Sequence, residues 1–161
     1  MPTPVEKVRQ YSVRAANRTL PLVRMIVSDI VELHRDVSER RDRLSRLLQR
    51  RRQQPVRPDD IYAEELREVE RVLEQDEQRY RGYLDELHEL GVELTDPVVG
   101  QVDFPTSIDG RPAFLSWKLG EPEVTHWHSA DEAADHLHPL DQQVFAEEEP
   151  WSPGAPAPPA G

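Results

Sequence analysis

The stretch LPLVRMIVSDIVELHRDVSERRDRLSRLL, residues 20–48, decides the fold class of this chain. Its apolar residues recur mostly every three or four positions, which places them along one stripe of an α-helix. The stripe comprises Leu22, Met25, Ile26, Ile30, Leu33, Val37, Leu44, Leu47 and Leu48. Upstream, Ser12 is expected to cap a short helix over residues 13–18. Pro21 disfavours helical geometry at Leu20, so we expect a break near residues 19–20 and a long helix from Pro21 to residue 53.

A second helical pattern covers residues 58–90, after a turn marked by Pro55 and Pro58. Gly91 follows it as a C-cap. A short connection between two long amphipathic helices predicts a long antiparallel, coiled-coil-like helical hairpin. Residues 1–57 carry 14 basic and 6 acidic side chains, a net charge of +8, whereas residues 59–90 carry 4 basic and 12 acidic ones, a net charge of −8. These opposite charges favour the pairing of the two helices.

Residues 92–128 change to turn and strand chemistry. Turn signals at Asp96-Pro97, Asp109-Gly110 and Gly120-Glu121-Pro122 separate three short segments rich in Val, Phe, Leu and Trp. We expect strands over residues 101–107, 113–118 and 123–128, forming a three-stranded antiparallel β-meander with Asp-Gly as its first hairpin turn. The predicted fold class is therefore α+β, with the small sheet packed on the helical hairpin.

The predicted organisation is a single domain over residues 12–140. A flexible lead covers residues 1–11, and a disordered tail covers residues 141–161, which turn acidic and then Pro-rich. The chain has 161 residues, a net charge of −11 and no cysteine. This composition disfavours general binding to nucleic acid or anionic membrane, and it excludes disulfides and thiolate chemistry. No apolar segment reaches the length of a signal peptide or membrane span, so a cytoplasmic location is expected.

Several motifs in order resemble a bacterial family of uncharacterised proteins, the domain-of-unknown-function family 2203. They are Ser12-Val13-Arg14-Ala15-Ala16-Asn17-Arg18-Thr19-Leu20-Pro21-Leu22-Val23, Leu90-Gly91-Val92-Glu93-Leu94, Val102-Asp103-Phe104-Pro105, Asp109-Gly110-Arg111, Trp117-Lys118-Leu119-Gly120-Glu121-Pro122-Glu123 and Trp127-His128. The resemblance covers residues 12–128 and implies a compact bacterial cytosolic protein with a helical hairpin and a small β segment. It implies no activity. The family pattern continues to a Gly and an Arg before a closing Pro-Leu, and residues 129–138 contain neither.

Four of the six histidines fall within thirteen residues, which makes this region the candidate metal site. His126 and His128 would lie on one face of a strand, roughly 6.5–7 Å apart, and could share one divalent ion such as Zn²⁺. The shell could be completed by His136, His138 or Glu123, or by the nearby acids Glu121, Asp131 and Glu132. The alternative is structural: His128 would bond a backbone carbonyl and pack beside Trp127, while His136 and His138 would be solvated.

The family-matching residues Trp117, Lys118, Gly120, Glu121 and Trp127 are interpreted as turn and strand residues. In that turn Gly120 would supply a backbone conformation that other residues resist. No motif predicts a catalytic residue or an organic cofactor, so an enzymatic role is not favoured. The leading hypothesis is a non-enzymatic interaction module, either a homodimer or a complex with a helical protein partner. The first alternative is a metal-binding protein or metalloenzyme; the second is nucleic-acid contact through residues 50–52 at the Arg-rich hairpin tip.

Overall fold

The computed structural model describes residues 10–53 and 61–140. Over these ranges the fold is α+β, with two helices followed by an antiparallel sheet. The elements are α1 (Val13–Gln53), α2 (Ile61–Glu89), β1 (Glu93–Asp96), β2 (Gln101–Ile108), β3 (Arg111–Lys118), β4 (His126–Ser129) and β5 (His138–Pro139). The predicted turn between the helices and the predicted tail lie outside the described residues, as does most of the predicted lead.

Helix α1 is continuous, so the predicted break near residues 19–20 is wrong. Pro21 lies inside the helix, where a proline costs roughly 3 kcal/mol. Leu20 before it and Val23 after it are both buried in one core, and packing on both sides outweighs that local cost. The predicted cap is present: Ser12 Oγ accepts a hydrogen bond of 3.0 Å from the Ala15 N–H.

The two helices lie side by side and run in opposite directions. The His34 ring lies 6.4 Å from that of Tyr80, and further along α1 an ion pair joins Arg40 to Asp76. Between the helices lies a cluster of buried apolar side chains, comprising Leu33, Val37, Leu47, Leu66, Val69 and Leu73. Helix α2 ends at Glu89, and the predicted C-cap residue Gly91 has a φ of 77° and donates to the His88 carbonyl at 2.8 Å.

The described strands form one sheet in chain order, and every neighbouring pair is antiparallel. Three were expected and five are present, because β1 and β5 are too short to show an alternating pattern, and β5 contains a proline. The Asp109-Gly110 hairpin turn is confirmed, with φ values of 50° and 79°. The third predicted strand begins later than expected, because the Val124 N–H donates to Asn17 Oδ1 on α1 rather than to a strand.

The two faces of the sheet differ in chemistry. Val102, Phe104, Leu115 and Trp117 point to the helix side and form one core with the first half of α1 and the end of α2. Alternation places Gln101, Asp103 and Ser116 on the opposite face, together with His128, and all four side chains are buried there. The sheet therefore has an apolar inner face and an outer face on which this polar group, next to Pro105 and Phe114, is shielded from solvent.

Close packing at Gly100 generates a stability prediction. A Cβ at this position would lie 2.8 Å from Val27 Cγ1 and 2.9 Å from Leu119 Cβ, and the φ of Gly100 is 73°. Gly100→Ala should lower the free energy of unfolding by about 2–4 kcal/mol, since overpacking adds to left-handed backbone strain. Gly110→Ala is the matched control, because Gly110 has a φ of 79° and a Cβ there would have no atom of the described residues within 4 Å. It should cost only about 1 kcal/mol in urea unfolding. Equal losses in the two variants would contradict the close contact.

Candidate functional site

The polar outer face of the sheet is covered by the segment between β4 and β5, residues 130–137, which we call the β4–β5 loop. Gln101 Nε2 donates to the Ala134 carbonyl at 2.8 Å and to Ser116 Oγ at 3.0 Å. One side chain thus connects the sheet surface to the middle of the loop. This anchor, together with the Phe114 ring stacked 5.3 Å from that of His128, helps to shield the polar residues of this face from solvent.

Asp103 and His128 form a buried pair under this cover. His128 Nε2 lies 2.7 Å from Asp103 Oδ2, and both side chains are 4% exposed. His128 Nδ1 lies 3.0 Å from the Ser129 carbonyl oxygen, which only accepts, so Nδ1 carries a proton. The Nε2–Oδ2 contact then requires one further proton, held by either partner. The pair is consequently neutral overall, which reduces the cost of burying it.

Burial raises the pKa of Asp103 above its ordinary value, and the hydrogen bond from His128 opposes that rise. Glu93, the neighbour of Asp103 on β1, acts in the same direction as burial by adding a second negative charge. Among the described residues, the other carboxylate oxygen, Oδ1, has no hydrogen-bond partner. Asp103 is therefore held in surroundings that favour its protonated form.

The predicted metal ligands do not all come together. His128 uses both ring nitrogens in hydrogen bonds, and His126 Nδ1 lies 2.9 Å from Thr125 Oγ1. Glu123 is exposed in the connection between β3 and β4. By contrast, His136 and His138 come together with Glu132 in the β4–β5 loop and β5. Within the described residues, this is the group whose ligand atoms all lie within 4.8 Å of one another.

The Glu132 carboxylate stands between the two imidazoles. His138 Nε2 lies 2.9 Å from each carboxylate oxygen, and His136 Nε2 lies 3.5 Å from Oε2. The Ser129 N–H donates to Glu132 Oε1 at 3.0 Å. This backbone hydrogen bond, followed by the one from His138, lowers the pKa of Glu132 below its ordinary value. The carboxylate is therefore ionised at neutral pH and oriented towards both rings.

Local backbone geometry positions these three side chains. The Glu132 N–H donates to the Ser129 carbonyl at 3.0 Å, and the His136 N–H donates to the Ala133 carbonyl at 2.9 Å. Two successive turns therefore fold the loop back towards the sheet. His138 is fixed at the other end because it pairs with Trp127 across β4 and β5, with the two rings 4.7 Å apart.

Two of the three separations between ligand atoms are close to those around a tetrahedral zinc ion, and the third, between the two histidines, is within 4.8 Å. Bonds of about 2.0–2.1 Å in a tetrahedron place neighbouring ligand atoms about 3.3 Å apart. The observed distances from Glu132 to His138 and His136, 2.9 and 3.5 Å, lie on either side of that value. Two imidazoles and one carboxylate leave a fourth position for water, as in catalytic rather than structural zinc sites.

A model of the uncharacterised conserved protein family DUF2203 matches residues 9–140 of this sequence. The chain belongs to this family. No curated protein and no solved structure matches the chain. Membership of DUF2203 brings no assigned activity, so the chemistry of the site must be inferred from its own residues.

The family-matching residues of this DUF2203 chain form a structural turn. Trp117 is fully buried, and its indole N–H donates to the Glu121 carbonyl at 2.9 Å. The Lys118 N–H donates to Glu121 Oε1 at 2.7 Å, and Gly120 has a φ of 104°. The left-handed geometry expected at Gly120 is thus present. Trp127 is half-buried beside His138, and its indole nitrogen has no partner among the described residues.

The Arg-rich end of α1 is partly neutralised by α2. Ion pairs join Arg40 to Asp76, Arg41 to Glu77 and Arg43 to Glu65. Residues 50–52 extend beyond these pairs as the basic last turn of α1. Neither described helix has an apolar stretch long enough to span a bilayer.

Sequence reasoning did not single out Asp103 or Gln101. Both alternate with buried apolar residues on β2, and that pattern usually indicates a solvated outer face. Their burial depends on the β4–β5 loop, which has no periodicity of its own. Glu132 was one of several nearby acids, and only the two turns of the loop distinguish it from Glu121 and Asp131.

Asp103→Asn should flatten the pH dependence of stability. Because the folded-state pKa of Asp103 is raised, the wild-type pair stabilises the fold most below the ordinary value of 3.8. This contribution is lost as pH rises through the raised value. The substituted amide donates to His128 Nε2 without titrating. As pH rises, the wild-type free energy of unfolding should therefore fall relative to that of the variant, by up to about 1.4 kcal/mol per pH unit.

Urea unfolding of both proteins at a series of pH values from about 4 to 8 measures this difference. The titrating groups other than His128, which contacts Asp103 directly, have the same surroundings in the two proteins and cancel in the comparison. Parallel stability profiles would show that Asp103 has the same pKa in the folded and unfolded chains, contrary to the buried geometry.

Proposed function

We propose that this protein binds a divalent metal ion, with zinc as the best fit, through Glu132, His136 and His138. The observation that carries the proposal is the spacing of the ligand atoms. Glu132 Oε2 lies 2.9 Å from His138 Nε2 and 3.5 Å from His136 Nε2. All three ligand atoms lie within 4.8 Å of one another, and rotation of the exposed His136 ring would bring its nitrogen towards an ion held by Glu132 and His138.

The donor set selects among metals. Two imidazoles with one carboxylate suit Zn²⁺ and other first-row transition ions, whereas Ca²⁺ and Mg²⁺ prefer shells of oxygen ligands. Cysteine is absent from the sequence, so competition from thiolate sites within the chain does not arise. Zinc is therefore the ion to test first.

The surroundings favour metal binding at neutral pH. A metal competes with protons for its ligands: Glu132, whose pKa is lowered, is ionised at neutral pH, and the ion would displace the Nε2 proton that His138 donates to it. The hydrogen bond from the Ser129 N–H fixes the carboxylate, which is the kind of support that outer-shell groups give to ligands. His136 is the most exposed ligand, at 67%, and its ring can swing onto the ion from solvent.

The other metal candidates have a weaker geometric basis. His128 would have to give up both its contact with Asp103 and its hydrogen bond to the Ser129 carbonyl before it could bind an ion. Neither His126 nor Glu123 belongs to a group of converging ligand atoms in the described part of the chain. The proposal therefore keeps His136 and His138 from the expected ligands and centres the site on Glu132.

A homodimer, or a complex with a helical partner, stays a second prediction, but less apolar surface is exposed for it than the helical stripe alone indicates. The apolar stripe that motivated it is largely used inside the chain, where Val37, Leu47 and Leu73 are each under 9% exposed. The large apolar side chains left exposed on α1 are Leu22, Met25 and Leu48. Met25, at 69% exposure, is the residue that most favours contact with another chain.

Zinc titration of protein prepared without a histidine tag tests the metal site. We expect one zinc per chain by calorimetry, with a change in tryptophan fluorescence because the Trp127 ring lies 4.7 Å from that of His138. Tetrahedral coordination should also appear in the visible absorption of bound Co²⁺. His138→Ala and Glu132→Gln should each weaken zinc binding by at least about 10-fold, since each removes a ligand atom.

His126→Ala is the matched control, because His126 is a half-buried histidine on the neighbouring strand that lies outside the cluster. Its zinc affinity should equal that of the wild type. Zinc binding that survives both ligand substitutions but is lost in His126→Ala would move the site to the β4 histidines. A titration in which the wild type binds no stoichiometric zinc would contradict the proposal.

A further inference from the structure

An open groove lies between the second half of α2 and strand β1. Its volume is about 660 Å³. The α2 wall includes Leu84, Asp85 and His88, and the opposite wall includes Val92, Glu93 and Leu94. We call this feature the α2–β1 groove. It has apolar walls with polar groups at the rim, the usual character of a binding site for another molecule.

Strand β1 gives the groove a direction. In the described sheet β1 is a terminal strand and pairs only with β2. About half of the backbone N–H and C=O groups of such a strand point away from its neighbour. An extended peptide lying beside β1 would satisfy these groups by adding one more strand to the sheet. A helix in the groove would leave them without protein partners.

The charge of the groove defines the chemistry of its occupant. Asp85 and Glu93 are both exposed, and none of the described residues that line the groove is Lys or Arg. Within the described ranges neither carboxylate takes part in a salt bridge. Glu86 and Glu89 add negative charge on the same end of α2. A partner with Lys or Arg beside its apolar residues complements this surface.

A second copy of the same chain fits this groove poorly. Edge-to-edge pairing of two β1 strands would bring Glu93 and Asp96 of each copy close to the acids of the other, and like charges on neighbouring strands are unfavourable. Each copy also carries a net charge of −11. The acidic rim therefore selects a basic partner over self-association.

We infer that the α2–β1 groove binds an extended segment of a partner protein, which adds to β1 as a strand and alternates apolar residues with Lys or Arg. Successive side chains of a strand point to opposite faces. The apolar set therefore packs against Leu84 and Leu94 on the helix side of the sheet, and the basic set lies on the opposite face with Glu93. Asp85, at the α2 rim, adds negative charge to the surface that the segment meets. This inference is independent of the proposed metal site.

The probe is a phage-displayed library of random peptides of about 12 residues, the span of one strand with its flanks, selected on the full-length protein. Enriched sequences should alternate apolar residues with Lys or Arg, and their binding should weaken as salt concentration rises. A selection that enriches no peptide, or enriches peptides without basic residues, would overturn the inference.

Charge reversal tests whether the enriched peptide binds in the groove. Asp85→Lys should weaken its binding by at least about 5-fold, measured by fluorescence anisotropy, because the new charge opposes the basic peptide. Glu123→Lys makes the same change in net charge at an exposed position outside the groove and should leave binding unchanged. Equal losses in both variants would indicate attraction to overall charge and would reject the groove.

Backbone methylation tests strand addition itself. A peptide methylated on alternate backbone nitrogens cannot donate hydrogen bonds along one edge. One register of methylation should abolish binding and the other should preserve it. Loss in both registers, or in neither, would reject strand pairing. Sedimentation of the protein alone gives the last outcome, since a dimer that the enriched peptide dissociates would make a second copy the occupant and overturn the choice of partner.

Discussion

The packing of the first half of α1 against the inner face of the sheet is the constraint on which the other parts of the molecule depend. Val23, Val27 and Ile30 are completely buried, in one core with Phe104 and Trp117 of the sheet. Gly100 lets the turn before β2 approach Val27 at a distance that no side chain would allow. This contact aligns β2, and antiparallel pairing then fixes the strands that carry the outer face and the β4–β5 loop.

That constraint also explains why a proline is tolerated inside a long helix. The pattern of residues 20–48 predicts the buried stripe of α1. The opposite charges of the two helices predict that they pair, and the ion pair between Arg40 and Asp76 joins them. Local rules at Pro21 predict a break, yet Leu20 and Val23 belong to the same core on either side of it. Sequence patterns predict long elements well because many residues share one period. They miss β1 and β5, whose few residues depend on neighbouring strands.

The candidate site was harder to predict because it depends on a loop. A cluster of histidines near residues 126–138 is visible in the sequence, and two of its members, His136 and His138, do come together. The selection of Glu132 over Asp131 results from hydrogen bonds to the Ser129 backbone, which no spacing rule encodes. Asp103 appears in the sequence as an ordinary outward residue of β2. It becomes a buried acid beside His128, which stacks on Phe114, and near the loop that Gln101 anchors.

Ser129 links the buried pair to the proposed metal ligands. Its carbonyl accepts from His128 Nδ1, while its N–H donates to Glu132 Oε1. A displacement of this one peptide segment would disturb both hydrogen bonds, so the two sites share a mechanical support even though they lie on different sides of β4. A buried pair with one shared proton needs a closed cover, since water would compete for its hydrogen bonds. An ion held by Glu132, His136 and His138 would tie the loop to β5 and keep that cover closed.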